Sequence, residues 1–457
     1  MNAPLTILVL GILLAAAAFF LRGRGGTAWL IAAGGAALLG AVALGVVLGE
    51  PFELLGLGVK LEAQWIVLGR SLVLGPSSRR LVGFVLTSGA LLLAAGWIAG
   101  APRRMAPVGL LVLLALAAAM MVDPALFAPS FVAAAAILGC LLLVHPGAAS
   151  GRGPSRIMLT YTFGMMAILL AAWFIEVGGA TSAAEGPART AGATLGLGAA
   201  ILLGTPPFHT WLAATSDEAH PAVFVFLGVL LPCAGLFLLM TSLAGLAWLR
   251  ADPLAYSFLR GMGLLMVGFG SVWCVAERRA AHLASYLLLI DLGVSLLAMS
   301  AGSPEGLRVA LGMSGVRVLG AAAWAAGAGN LFAAAPRAGE GRPVRWSAAA
   351  AALAGAMSLA GTPLTIGFPG RWMTIAILRE TSPLAAAAVA LSMAAAVWSV
   401  FRWGRTLAGM PRQLPPSLPR ARRAALWAAA VLVVALGVFP GWLYAWAVRS
   451  FAGAAGA

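Results

Sequence analysis

Chemistry has few places to happen in this sequence. Its 457 residues include 14 acidic and 29 basic side chains, four histidines and three cysteines, most of them between long apolar runs. The exceptions lie inside the runs. Asp291 falls near the middle of "SYLLLIDLGVSLL", Arg317 in "GMSGVRVLG", and Arg371 in "GTPLTIGFPGRW". A carboxylate inside a bilayer costs at least ~2.5–3.5 kcal/mol, so it faces a partner or water. Asp291 therefore belongs either to a hydrophilic axis, with Arg317 or Arg371 as partner, or to a structural ion pair within a helix bundle. Arginine, with a pKa above ~12, can hold an ion pair or a water chain but relays protons poorly. His209, in "PPFHTWLAATSDEA", either titrates near neutral pH or braces the backbone through a hydrogen bond.

The remaining polar groups invite plainer readings. Trp211 reads as an interfacial anchor. Asp217, Glu218 and His220 read as solvated or subunit-contact residues of a loop, Glu176 as interfacial, and His282, beside Arg278 and Arg279, as a helix-end residue. Cys140, Cys233 and Cys274 lie in separate runs without CxxC spacing, which implies neither a disulfide framework nor a metal site. No nucleotide, flavin, haem or iron–sulfur motif is visible.

The elements that must position these groups are membrane helices. The sequence is 62% hydrophobic and 9% charged, whereas soluble proteins are about one quarter charged, so an ordinary water-soluble enzyme is excluded. Apolar runs of roughly 18 or more residues indicate spanning helices, and the short alternating segments of a β-barrel are missing. The expected fold is all-α and polytopic, with about 14 spans. The net charge of +15 would suggest nucleic acid in a soluble domain. Here the arginines are spread over short loops, where they act as topology signals and contact lipid headgroups. Arg22/Arg24, Arg103/Arg104, Arg152/Arg156, Arg278/Arg279, Arg337/Arg342/Arg345 and a cluster from Arg402 to Arg423 fall on alternate loops. The positive-inside rule then places both termini outside. The first run has its arginines after it rather than before, so it reads as a retained helix and not a signal peptide. The stretch from Glu50 to Arg80 can form a small extracellular hairpin, and 409–423 is a proline-rich basic linker.

Two spans are interrupted. Pro206 and Pro207 break the run that starts near Ala191; Gly361, Pro363, Gly367, Pro369 and Gly370 break the long run within 346–378. Broken helices in corresponding positions of two halves point to an ion pathway, although prolines also serve as simple kinks.

These stretches carry a resemblance. Pro207, Phe208, His209, Trp211 and Leu212, followed by Glu218–Ala219, resemble the signature of the proton-conducting antiporter-like subunits found in respiratory complex I, membrane hydrogenases and multi-subunit cation/proton antiporters. "GTPLTIGFPGRW" is similar to the family's broken twelfth helix, in a form close to the N-type subunit. The resemblance implies two inverted five-helix repeats. Residues 1–106 would hold helices one to three and the outer hairpin, 107–250 the first repeat, 251–405 the second, and 406–457 the basic linker and final helix. It also implies a glutamate on the fifth helix and lysines on the seventh, eighth and twelfth. Here those positions fall at Ala135 or Ala136, Leu202, Pro232 and Arg371, and Arg317 takes a basic position on the eleventh. Lysine exchanges protons when burial lowers its pKa; leucine and proline cannot.

The expectation is a membrane-arm subunit of a complex I-type NADH/quinone oxidoreductase in a prokaryotic inner membrane, with proton translocation reduced or lost. Iron–sulfur clusters, flavin and quinone would sit only on partner subunits. Those partners would be other membrane subunits, including further antiporter-like ones, and lipid, with no nucleic acid. The rivals are a subunit of a cation/proton antiporter, or a scaffold of a hydrogenase or inorganic-carbon uptake complex.

Overall fold

The computed structural model describes residues 2–45, 51–54, 57–67, 69–144, 151–178, 186–332, 345–409, 418–439 and 441. Most of the basic linker lies outside them, as do Arg337 and Arg342 in the loop between α13 and α14. Seventeen α-helices occur among the described residues. In the first half these are α1 (Ala3–Phe20), α2 (Thr27–Gly45), α3 (Pro76–Ala99), α4 (Met105–Met121), α5 (Ala128–Cys140), α6 (Arg152–Gly178), α7 (Gly186–Leu203), α8 (Thr210–Glu218), α9 (Pro221–Gly245) and the single turn α10 (Ala247–Arg250). The second half supplies α11 (Pro253–Ala276), α12 (Ala280–Met299), α13 (Pro304–Phe332), α14 (Trp346–Ala360), α15 (Gly367–Thr381), α16 (Pro383–Ala408) and α17 (Arg420–Val438). Among the described residues ten helices are long and apolar enough to cross a membrane, and α4, α5 and α14 are apolar but shorter. With α7/α8 and α14/α15 each taken as one broken rod and α10 set aside, the rods number fourteen.

Helix α9 is apolar on every face and its most apolar stretch is wholly buried; that of α12 is nearly so. A helix with no polar face belongs at the centre of a bundle, and α9, α12 and α13 form that centre. Helix α13 packs against α3, α9, α12, α14 and α15. Pro232 sits in the interior of α9, where it removes the amide that would have bonded the carbonyl one turn earlier.

The stretch after α2 folds as two antiparallel hairpins rather than one. β1 (Pro51–Leu54) pairs with β2 (Leu57–Lys60), and β3 (Gln64–Val67) with β4 (Arg70–Val73). The second hairpin gains a third strand, β5 (Val122–Asp123).

The two breaks share one local design. Helix α7 ends at Gly204 with φ 69°, and α14 at Gly361 with φ 75°. In each, the glycine N–H bonds the carbonyl three residues back and the following threonine N–H bonds the one five back: Gly204→Ile201 and Thr205→Ala200, Gly361→Ser358 and Thr362→Met357. This is a glycine-capped helix end, written as Gly-Thr-Pro in both places. The left-handed φ is why glycine stands there.

Candidate functional site

The second break carries the charge. Arg371, one turn into α15, is 0% exposed, Arg317 on α13 is 1% exposed and Asp291 on α12 is 3% exposed. The three side chains meet. Arg317 Nε donates to Asp291 Oδ2 at 2.6 Å, and Arg371 Nη2 approaches Asp291 Oδ1 at 2.8 Å. Both carboxylate oxygens thus face a guanidinium. The sequence offered Arg317 or Arg371 as partner; the structure uses both.

Each arginine is committed further. Arg317 Nη2 donates to Ser295 Oγ at 2.6 Å, and Nη1 to Cys233 Sγ at 3.4 Å. Arg371 Nη1 donates to the Ser358 carbonyl at 3.2 Å, and Nη2 to that of Leu359. Both carbonyls lie in the last turn of α14, that of Ser358 also accepting the Gly361 N–H, and a cation there meets the negative end of the half-helix. The triad therefore ties α9, α12, α13, α14 and α15 at one buried point. Ser295 did not stand out in the sequence, and Cys233 stood out only as a cysteine outside any disulfide or metal pattern. Ser295 follows Asp291 by one helical turn, and that spacing was the only available signal.

The first break is neutral. The carbonyl of Leu202, which stands two residues before its capping glycine as Leu359 does, accepts from the Tyr161 hydroxyl at 3.3 Å. A phenol on α6 thus fills the place that a guanidinium takes in the second half. Ala135, Ala136, Leu202 and Pro232 are all buried. Leu202 packs so closely that a Cβ added at Gly164 would lie 2.6 Å from its Cδ2.

Trp211 is not an interfacial anchor. It is 0% exposed and meets Tyr161 edge-on with ring centroids 5.6 Å apart. Burial follows from the break, which turns α8 back against α6. His209 stands apart from the triad, with its ring 4.4 Å from that of Phe269 and no partner at Nδ1 among the described residues. Pro206 and Pro207 lie in the turn between α7 and α8, and Pro363 in the turn between α14 and α15. Gly367 and Pro369 open α15, where a Cβ on Gly367 would lie 1.8 Å from the Ser358 carbonyl oxygen.

The acidic residues after the first break lie on a helix rather than in a loop, and Asp217 is exposed there. Asp217 and Glu218 form the last turn of α8. The Glu218 carboxylate accepts from the Arg152 and Gly153 N–H groups, each at 3.0 Å. Asp217 Oδ1 lies 2.7 Å from His282 Nε2, while His282 Nδ1 lies 2.8 Å from Glu277 Oε2. Burial opposes the charge on Glu277, but the Arg279 and Arg278 N–H groups and His282 outweigh it and hold the carboxyl below its usual range. His220 caps α9 by accepting the Ala222 N–H at 3.2 Å, and burial lowers its imidazole pKa. Glu176 pairs with Arg70 at 3.3 Å across an exposed surface.

The fold, a helical bundle with two glycine-capped breaks, is shared with chains of several solved membrane complexes. Among solved structures, the chain superposes on one of the Mrp complex from Dietzia sp. with TM-score 0.77 and 18% identity, over 98% of this chain and 97% of that one. For a chain of respiratory complex I from Thermus thermophilus the figures are 0.72 and 20%, over 98% of each. For the membrane-bound sulfane sulfur reductase, an archaeal respiratory membrane complex, they are 0.76 and 17%, over 100% of this chain and 98% of that one. In sequence, the chain is similar to N-type subunits. It is 28% identical over 265 residues to NADH-quinone oxidoreductase subunit N of Thioalkalivibrio sulfidiphilus, covering 54% of this chain and 53% of the relative. It is 29% identical over 272 residues to NADH-quinone oxidoreductase subunit 13 of Thermus thermophilus, covering 54% of each. The chain spans about half the length of the curated relatives it matches. No family model matches.

Proposed function

We propose that this chain is a membrane-arm subunit of a complex I-type NADH/quinone oxidoreductase in which direct proton translocation is reduced or lost. The observation that carries the proposal is the Arg317–Asp291–Arg371 triad. A proton relay needs groups that change protonation as the proton passes. Here the buried carboxylate has a guanidinium on each oxygen, and guanidinium does not give up its proton near neutral pH. The arrangement holds helices in place. In the first half, Ala135, Leu202 and Pro232 supply no titratable group where the family resemblance expects them.

On this reading the partners are other membrane subunits, further antiporter-like ones among them. Iron–sulfur clusters, flavin and quinone belong to those partners. The setting is a prokaryotic inner membrane with both termini outside. The sequence kinship to N-type subunits favours complex I. The Mrp and sulfane sulfur reductase likenesses are likenesses of fold, and keep a cation/proton antiporter or a membrane scaffold as second readings. Purification with native partners tests the assignment. Co-purifying NADH- or quinone-linked iron–sulfur subunits are expected, and a set of small membrane subunits alone would overturn it.

A further inference from the structure

A second meeting of charges lies at the end of the bundle where α8 finishes and α12 begins. His282, in the first turn of α12, has a side-chain exposure of 14% and stands between two carboxylates. Its Nδ1 lies 2.8 Å from Glu277 Oε2, in the turn between α11 and α12, as an aligned hydrogen bond. Its Nε2 lies 2.7 Å from Asp217 Oδ1, on the last turn of α8, as a close approach of charges without that alignment. An ionised carboxylate only accepts, and a neutral imidazole carries one N–H. A neutral His282 would turn a bare lone pair on one of the two, so the arrangement calls for the doubly protonated ring. The first turn of a helix disfavours a cation, which leaves the carboxylates to stabilise that proton.

The two carboxylates are not held alike. Glu277 Oε1 also accepts from the Arg278 and Arg279 N–H groups, and Arg402 of α16 donates to the Glu277 carbonyl. Asp217 has its second cation, Arg279 Nη1, at 3.6 Å, with both side chains well exposed. A ring that loses one proton therefore keeps Nδ1–H toward Glu277 and leaves Nε2 bare toward Asp217, which is exposed enough to turn into water. Arg278, Arg279 and Arg402 keep their charge throughout. The Tyr286 phenol, one turn along α12 and within reach of both carboxylates, and the buried Cys274 thiol are groups that ordinarily lose protons at higher pH than a histidine does.

We propose that His282 is a proton-operated latch between the two halves of the chain. Protonated, it holds the end of α8, the helix after the first break, against α12, the helix that carries Asp291. As pH rises on this face, Nε2 gives its proton to the solvent, no other covalent bond breaks, and the end of α8 is released. The latch shares no residue with the triad and does not depend on whether the chain relays protons.

Amide hydrogen exchange of α8, read by mass spectrometry on the full chain in detergent and expressed as protection factors, tests this. His220, whose cap on the neighbouring α9 weakens on protonation and so works in the opposite direction, is replaced throughout by asparagine. On that background, protection of the last turn of α8 should fall roughly fivefold from about pH 5.5 to about pH 8.5. His282→Gln and, separately, Asp217→Asn should each flatten the profile, whereas a histidine with a packing role alone would lower protection equally at every pH and only when it is replaced itself. Asp217 is exposed, so its replacement still decides the matter if His282→Gln fails to fold. A parent profile that is level or rises with pH, or a fall that persists in either variant, would overturn the proposal.

Discussion

At the scale of single residues, the triad makes an asymmetric prediction. Removing one member of a buried ion pair costs about 3–5 kcal/mol because the partner is left uncompensated. Asp291→Asn leaves two guanidiniums without their shared carboxylate, whereas Arg317→Met leaves the Asp291–Arg371 pair intact. Thermal unfolding in detergent should therefore show Asp291→Asn as the more damaging change, and the triple replacement of all three members by apolar residues as less damaging than Asp291→Asn alone. Equal losses for Asp291→Asn and Arg317→Met would mean that the three do not act as one unit. The identity of the buried charges was legible in the sequence, because an aspartate and two arginines inside apolar runs have to be explained. Their mutual contact was not, since the residues are separated by 26 and more positions and no local rule joins them. Trp211 was misread for the opposite reason: indole suits both interface and core, and only the packing of α8 on α6 decides.

At the scale of elements, the two breaks are alike in backbone and different in what fills them. Replacing a left-handed glycine costs ~1–2 kcal/mol from backbone alone. At Gly361 an added Cβ would also lie 2.5 Å from Arg371 Cδ, whereas at Gly204 its nearest neighbour is Trp211 Nε1 at 3.3 Å. Gly361→Ala should thus lower the unfolding temperature more than Gly204→Ala, and the reverse order would contradict the description of the second break as the tighter one. The entrance to α9 gives a pH prediction. Burial lowers the His220 pKa, so its contribution to stability is present above the unfolded value of about 6.5 and is lost as pH falls below that value through the folded one. Protonation also removes the acceptor for the Ala222 N–H. His220→Asn keeps a capping acceptor that does not titrate, so its unfolding temperature should vary less than that of the wild type between about pH 7.5 and pH 5. An unchanged pH profile would remove His220 from the account.

At the scale of the whole molecule, length and composition carried the architecture far. Fourteen rods, two of them broken, follow from apolar runs and from the rule that freed backbone in a membrane must find partners. The second hairpin, with its third strand from Val122–Asp123, was beyond reach, because β5 is two residues long and pairs with a distant stretch. The links from α8 were hidden too. Asp217 and Glu218 look like loop residues until α6 and α12 are brought beside them.

The proposed function requires a midplane that holds charge without relaying protons. The most direct measurement is proton flux through the full chain in proteoliposomes under an imposed membrane potential, read with a pH-sensitive dye. The rate should be no greater than that of protein-free liposomes, with no difference between the wild type and Arg317→Met. A flux well above that background, removed by Arg317→Met, would contradict it.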